Sequence, residues 1–200
     1  MPFLCILCKF VMVVIMPRRP SRCYRYFDTP PYTRKEYIRG VPQPKIQIFD
    51  MGSKNKEFPI YLTLVSLEQG NITHNALEAL RIAANRYLSK KLSAEGYHLR
   101  IRAHPHHILR ENKMMAFAGA DRLQEGMRKA FGKPFGMAAR VFFGSPIVTI
   151  GVNEDGISIA LEALRRVSMK VPMKTRIVIE KAPEHIIKKI GFPLISEFKK

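Results

Sequence analysis

The sequence contains no tryptophan and only 3 cysteines. Cys5 and Cys8 lie near the start and Cys23 stands by itself. No disulfide framework can be drawn from that set, and a reducing compartment fits it. The Cys5-Ile-Leu-Cys8 spacing lacks the second cysteine pair or nearby histidine that would complete a zinc site. Acidic residues are scarce as well. With 16 Asp+Glu against 34 Lys+Arg, the net charge is +18. Such a field draws polyanions and opposes self-association, so RNA, DNA or an anionic membrane surface are the partners to weigh. Hydrophobic residues make up 46% of the chain, enough for one core and too many for general disorder.

No apolar run reaches the ~20 residues that a membrane-spanning helix needs. The closest is Met1 to Ile15, MPFLCILCKFVMVVI, which Lys9 interrupts. A signal peptide would put its charge ahead of the apolar region and end in small residues. The stretch reads as an upstream start artefact or a disordered segment, with the natural start at Met16. The competing reading, a membrane-surface protein anchored by residues 1–15, predicts recovery in membranes that survives ribonuclease and high salt.

Residues 16–44 read as an extended basic arm. Pro17, Pro20, Pro30, Pro31, Pro42 and Pro44 discourage regular structure. Arg18, Arg19, Arg22, Arg25, Arg34, Lys35 and Arg39 alternate with Tyr24, Tyr26, Phe27, Tyr32 and Tyr37. Guanidinium forks suit phosphate oxygens, and aromatic faces suit unstacked bases.

A folded α+β domain is expected over 45–182, followed by a C-terminal tail, 183–200. Strands are read at Lys45–Phe49, Pro59–Leu67, Tyr97–Ala103, Arg140–Phe143, Ile147–Val152 and Thr175–Glu180. Helices are read at Asn71–Leu92 and Asp155–Ser168, with a terminal one over Pro183–Ile190. Thr73 or Asn75 caps the first, and Glu78 lies three residues beyond Asn75. Leu77, Leu80, Ala84 and Leu88 recur at its core spacing. Alternation turns Tyr97, Leu99 and Ile101 inward and His98, Arg100 and Arg102 outward, and the outward arginines offer a row of cations to an RNA backbone. The expected architecture is one mixed sheet carrying two main helices.

The long stretch His104–Gly136, and the loop read at 112–137, draw the functional reading, because long connections inside a compact domain are usually functional or disordered. It carries Arg110, Lys113, Arg122, Arg128, Lys129 and Lys133, together with Phe117, Phe131, Phe135 and four glycines. That mixture suits a loop that orders on entering RNA. The alternative is an amphipathic helix over Asp121–Phe131. Gly126 to Lys133 imitates a phosphate-binding loop, but the spacing is one residue too long and Pro134 stands where Ser or Thr should hold magnesium. His104, His106 and His107 lack companions in a metal-ligand spacing and read as phosphate contacts. No nucleophile–base arrangement is evident, so no catalytic residue, cofactor or metal is expected. Arg140 completes the RNA-binding set. The residues thus reach a basic RNA-binding protein, with an RNA-modifying enzyme as the rival.

Three stretches carry a resemblance to a known family. They are Arg18-Arg19-Pro20-x-Arg22-Cys23-Tyr24-Arg25, Arg102-x-His104-Pro105-x-His107, and Ala118-Gly119-Ala120-Asp121-Arg122-Leu123-Gln124-x-Gly126-Met127-Arg128 followed by Gly132-Lys133-Pro134. They resemble the archaeal and eukaryotic large-subunit ribosomal protein family called ten-e, whose bacterial counterpart is large-subunit protein sixteen. The likeness runs from about Met16 to near Glu180. It implies an α/β-hammerhead fold and a non-enzymatic, cytoplasmic, ribosome-bound protein. It implies partners in large-subunit rRNA near the 5S rRNA region, in tRNA and in neighbouring ribosomal proteins. Arg122, Arg128 and Lys133 would lie on a loop approaching the peptidyl-transferase centre, and Arg18, Arg19 and Arg22 on an rRNA-binding arm. Family members begin near Arg18, so residues 1–15 are a departure.

Overall fold

The computed structural model describes residues 19–24, 27–112, 128, 130–183, 186–187 and 191–193. Among these, eight strands and two main helices build the fold: β1 Asp50–Gly52, β2 Ile60–Ser66, β3 Gly70–Thr73, α1 His74–Lys91, β4 Tyr97–Ile101, β5 His107–Glu111, β6 Lys133–Val141, β7 Pro146–Val152, α2 Ile157–Ser168 and β8 Thr175–Lys181. The α+β class with two main helices is as expected. The strands, however, divide between two sheets instead of joining one mixed sheet. Five run in the order β1-β4-β7-β2-β8 and three in the order β3-β6-β5. Each of the described pairings is antiparallel.

The alternation in β4 does what its sequence dictates. Tyr97, Leu99 and Ile101 are buried while Arg100 is exposed. Leu99 pairs with Ile150 of β7, which pairs in turn with Leu62 of β2. Against this inner face lie α1 and α2, which also contact each other. Leu77, Leu80, Ala84 and Leu88 of α1 are all buried, as are Ala160, Ala163, Leu164 and Val167 of α2. Each fully buried Leu contributes roughly 1.5–3 kcal/mol relative to exposure, so this sheet–helix layer dominates the stability.

Several boundaries differ from the sequence reading for physical reasons. The expected helix takes in residues 71–73, but these form β3 with Gly70, because Asn71 and Ile72 pair with Arg140 and Ala139 of β6. The helix therefore starts later, and Thr73 caps it by accepting the Ala76 N–H. Glu78 is then not placed for a capping box and grips Arg81 through two hydrogen bonds of 2.9 and 2.6 Å. The expected strand Lys45–Phe49 is displaced to Asp50–Gly52. A 3-10 turn, Glu154–Gly156, precedes α2, so the helix begins at Ile157. Of the expected terminal helix only Ile186 and Ile187 are described as helical; residues 184–185 and 188–190 lie outside the described set. The largest correction concerns His104–Gly136. It is not one loop, because β5 lies inside it and pairs with β6, which begins inside it, from His107↔Ala138 to Glu111↔Lys133.

Candidate nucleic-acid interface

The basic arm lies across the small sheet. At one edge Asn71 of β3 donates to the Tyr24 carbonyl. In the middle the Tyr24 ring meets Phe135 of β6 at 5.7 Å, and Phe27 meets Phe142 edge-on at 5.4 Å. Arg140 of β6 donates to the Thr29 carbonyl at 2.6 Å and sits 5.1 Å from the Phe27 ring centre. At the other edge the Ile108 N–H donates to the Tyr32 carbonyl at 2.9 Å, and the Tyr32 N–H donates to His107 Nδ1 at 2.9 Å. The arm thus satisfies strand-edge groups that would otherwise need water or a partner. It also spends three of its aromatic rings on the protein itself. Tyr24, Phe27 and Tyr32, which by type suit bases, meet Phe135, Phe142 and Phe131.

The stem of the loop is built on the same contacts. Arg110 of β5 stacks between Tyr32 and Phe131, its guanidinium 4.5 and 3.1 Å from the two ring centres. Aromatic faces partly replace the water that the cation loses. Burial lowers the pKa of Arg110, and likewise that of Arg140. Gly132 then turns the chain with φ of +73°, and a Cβ there would meet the Glu111 carbonyl carbon at 2.6 Å. That close approach admits only glycine at the foot of β6.

His107 is a proton-sensitive part of this joint. Its Nδ1 accepts from Tyr32, which places the ring proton on Nε2. Burial, then the charges of Arg140, His106 and Arg110, pushes its pKa down to about 4. The unfolded chain takes up this proton below about pH 6.5 and the folded chain only near pH 4. The contribution of His107 is therefore complete above pH 6.5 and is lost as pH falls from there toward 4. For a half-buried ring this amounts to about 1–2 kcal/mol. Urea melts at pH 7.5 and 4.5 should show this drop in the wild-type chain and lack it in His107→Gln.

Three of the expected RNA contacts are held by acids. Arg19 pairs with Glu111 at 3.2 Å and donates to the Asn112 carbonyl at 3.4 Å. Arg100 reaches Asp50 at 3.5 Å. Arg102 donates to Glu180 at 2.8 Å, while the other Glu180 oxygen accepts from Thr63 at 2.7 Å. Burial by itself would raise the Glu180 carboxyl, but hydrogen bonds from Thr63, Arg102 and Thr149 and the Arg102 charge hold it below its usual range. These partners, Asp50, Glu111 and Glu180, come from distant points in the chain, and no sequence spacing announces them.

The three histidines do not converge. His104 stacks on Phe49 at 4.2 Å, His106 bonds the His104 carbonyl through Nδ1 at 3.0 Å, and His107 faces Tyr32. Among the described residues no group of three or more His, Cys, Asp or Glu side chains is placed to hold a metal ion. Nor, among them, is any helix long and apolar enough to cross a membrane.

A second class of cation stands apart. Arg22, Arg34, Lys35, Arg128 and Lys133 are exposed and form no ion pair among the described residues. Arg18, Arg25, Lys113, Arg122 and Lys129, from the same expectation, lie outside the described residues, as do Phe117 and most of the segment read as a loop or an amphipathic helix. The arrangement is a folded body with a strapped arm, a clamped stem and a set of outward cations. It can hold polyanionic backbone.

Comparison with known proteins agrees with this chemistry. Residues 27–178 match the family described as ribosomal protein L16p/L10e. The chain is 56% identical over 165 residues to the large ribosomal subunit protein uL16 of Staphylothermus marinus, covering 82% of this chain and 95% of that one. It is 53% identical over 167 residues to the protein of the same name from Hyperthermus butylicus, covering 81% and 93%. The corresponding Archaeoglobus fulgidus protein is 51% identical over 175 residues, 88% of this chain and all of its own length.

Proposed function

Because the chain belongs to the ribosomal protein L16p/L10e family, it is a structural constituent of the large ribosomal subunit and not an enzyme, and we propose how it is held there. The exposed cations of the arm and stem, Arg22, Arg34, Lys35, Arg128 and Lys133, neutralise phosphates of large-subunit rRNA. Arg18, Arg25, Lys113, Arg122 and Lys129 join them. Arg19, Arg100, Arg102 and Arg140, held by acids or a carbonyl, offer their remaining donors in fixed directions, and His104 and His106 lie beside them. The stretch 112–137 supports tRNA positioning near the peptidyl-transferase centre, in the neighbourhood of 5S rRNA. Peptide-bond chemistry belongs to the RNA, and the protein contributes position.

The observation that carries this reading is the separation of cations, among the described residues, into a set paired with acids and an exposed set that is not, on one strapped body. An exposed cation without an acid partner can release counterions from RNA when it binds. Localisation follows from family membership: the ribosome, in the cytoplasm.

Sucrose-gradient sedimentation of a lysate, with and without ribonuclease, tests the reading. The protein is expected at near-stoichiometric level with large subunits and should leave that position when the RNA is digested. Migration at the top of the gradient, or with membranes regardless of ribonuclease, would refute it.

A further inference from the structure

Among the described residues, one aromatic side chain of the arm is unaccounted for by the packing. Tyr24, Phe27 and Tyr32 are occupied by rings of the small sheet. Tyr37 is 79% exposed and takes part in no ring contact among the described residues. Its backbone is nevertheless fixed in a turn. It ends a 3-10 turn, Lys35–Tyr37, closed by Tyr37 N–H to the Arg34 carbonyl at 3.3 Å and Ile38 N–H to the Lys35 carbonyl at 3.2 Å. Thr33, Arg34, Lys35, Glu36 and Tyr37 line an open concavity on this turn.

Other exposed aromatics offer a contrast. Phe131 is covered on one face by Arg110, and Phe142 is met by Phe27. Phe143 is also exposed, but the cation nearest to it in sequence, Arg140, is committed to Thr29 and Phe27. Around Tyr37 the exposed Arg34, Lys35 and Arg39 outnumber the single acid Glu36. An exposed ring among outward cations suits an unstacked nucleobase with phosphates on either side. An apolar protein surface would leave those cations desolvated and unpaired.

We propose that Tyr37 is a stacking platform for one unpaired base of large-subunit rRNA, with Arg34, Lys35 and Arg39 holding the phosphates that flank it. The proposal rests on the reading that this chain binds rRNA through its arm. It goes further by naming the residue that meets a base and the chemistry of the contact.

The test uses the full chain and rRNA extracted from large subunits, with affinity measured as a function of salt. Tyr37→Phe and Tyr37→Trp should bind within twofold of wild type, because each retains a π face. Tyr37→Ala should bind at least about fivefold more weakly, since a stacked base is worth ~1–3 kcal/mol. Its salt slope should be unchanged, since no phosphate contact is lost. The wild-type chain has no tryptophan, so Tyr37→Trp supplies a single reporter whose emission should be quenched as rRNA is added. An alanine variant that binds as wild type does overturns the proposal. So does a phenylalanine variant as weak as alanine, which would assign the contact to the hydroxyl. Intact rRNA binding by the alanine variant with loss of a neighbouring ribosomal protein would overturn it in favour of a protein partner. Failure of the wild-type chain to bind this rRNA at all would instead remove the underlying reading. Should Tyr37→Ala not fold, the Phe and Trp variants carry the test.

Discussion

Replacing residues 113–127 with a short Gly-Ser linker should leave the melting temperature nearly unchanged. In reconstituted large subunits the same change should slow tRNA-dependent peptide synthesis by roughly tenfold or more, the scale on which small losses of positioning act. The boundaries follow from the structure. Phe131 stacks on Arg110, Phe135 meets Tyr24, and Gly132 lets the chain pass close to Glu111. A wider deletion, from Phe117 to Phe135, would remove those packing partners and confuse loss of folding with loss of function. The narrower one spares the ladder from His107↔Ala138 to Glu111↔Lys133. Equal synthesis rates with and without residues 113–127 would show that the segment does not serve tRNA positioning.

The core was legible because local pattern and tertiary burial agree there. Period-two alternation in Tyr97–Ile101 and helical spacing of Leu77, Leu80, Ala84 and Leu88 both matched the buried set. The pattern failed at β3, β5 and the start of β6. Asn71, Gly136 and Pro134 are poor strand formers, and only pairing with a distant partner makes them strands. The candidate interface divided in a similar way. Residue type identified the arm and the stem as basic and aromatic, and the motif around Ala118 to Arg128 carried the family. What residue type could not convey was allocation. Phe27 and Tyr32 look as suited to bases as Tyr37 does, yet two of these three rings are packed against the protein and one is exposed. Arg19 and Arg22 are near neighbours in one motif, but the first is paired with Glu111 and the second projects outward. Such differences arise from contacts across 92 residues of chain or more, which no local window contains.

The exposed set of cations also makes a quantitative demand. Several phosphates neutralised together should give a steep salt dependence. Affinity for large-subunit rRNA should fall by about a thousandfold between roughly 50 and 200 mM salt if six phosphates are engaged. Each outward cation removed should flatten the log–log slope by roughly 0.7–0.9. Removing an acid-paired arginine should flatten it less, because its charge is already partly compensated in the free protein. It also takes the arginine partner from Asp50 or Glu180, so a modest loss of stability accompanies the change.

The most direct measurement compares the salt slope of rRNA binding for two variants of the full chain. One replaces Arg22, Arg34, Lys35, Arg128 and Lys133 with glutamine, and the other replaces Arg100 and Arg102. The account predicts a slope lower by about 3.5–4.5 for the first and a much smaller change per residue for the second. An unchanged slope in the first variant, or an equal change per residue in both, would contradict it.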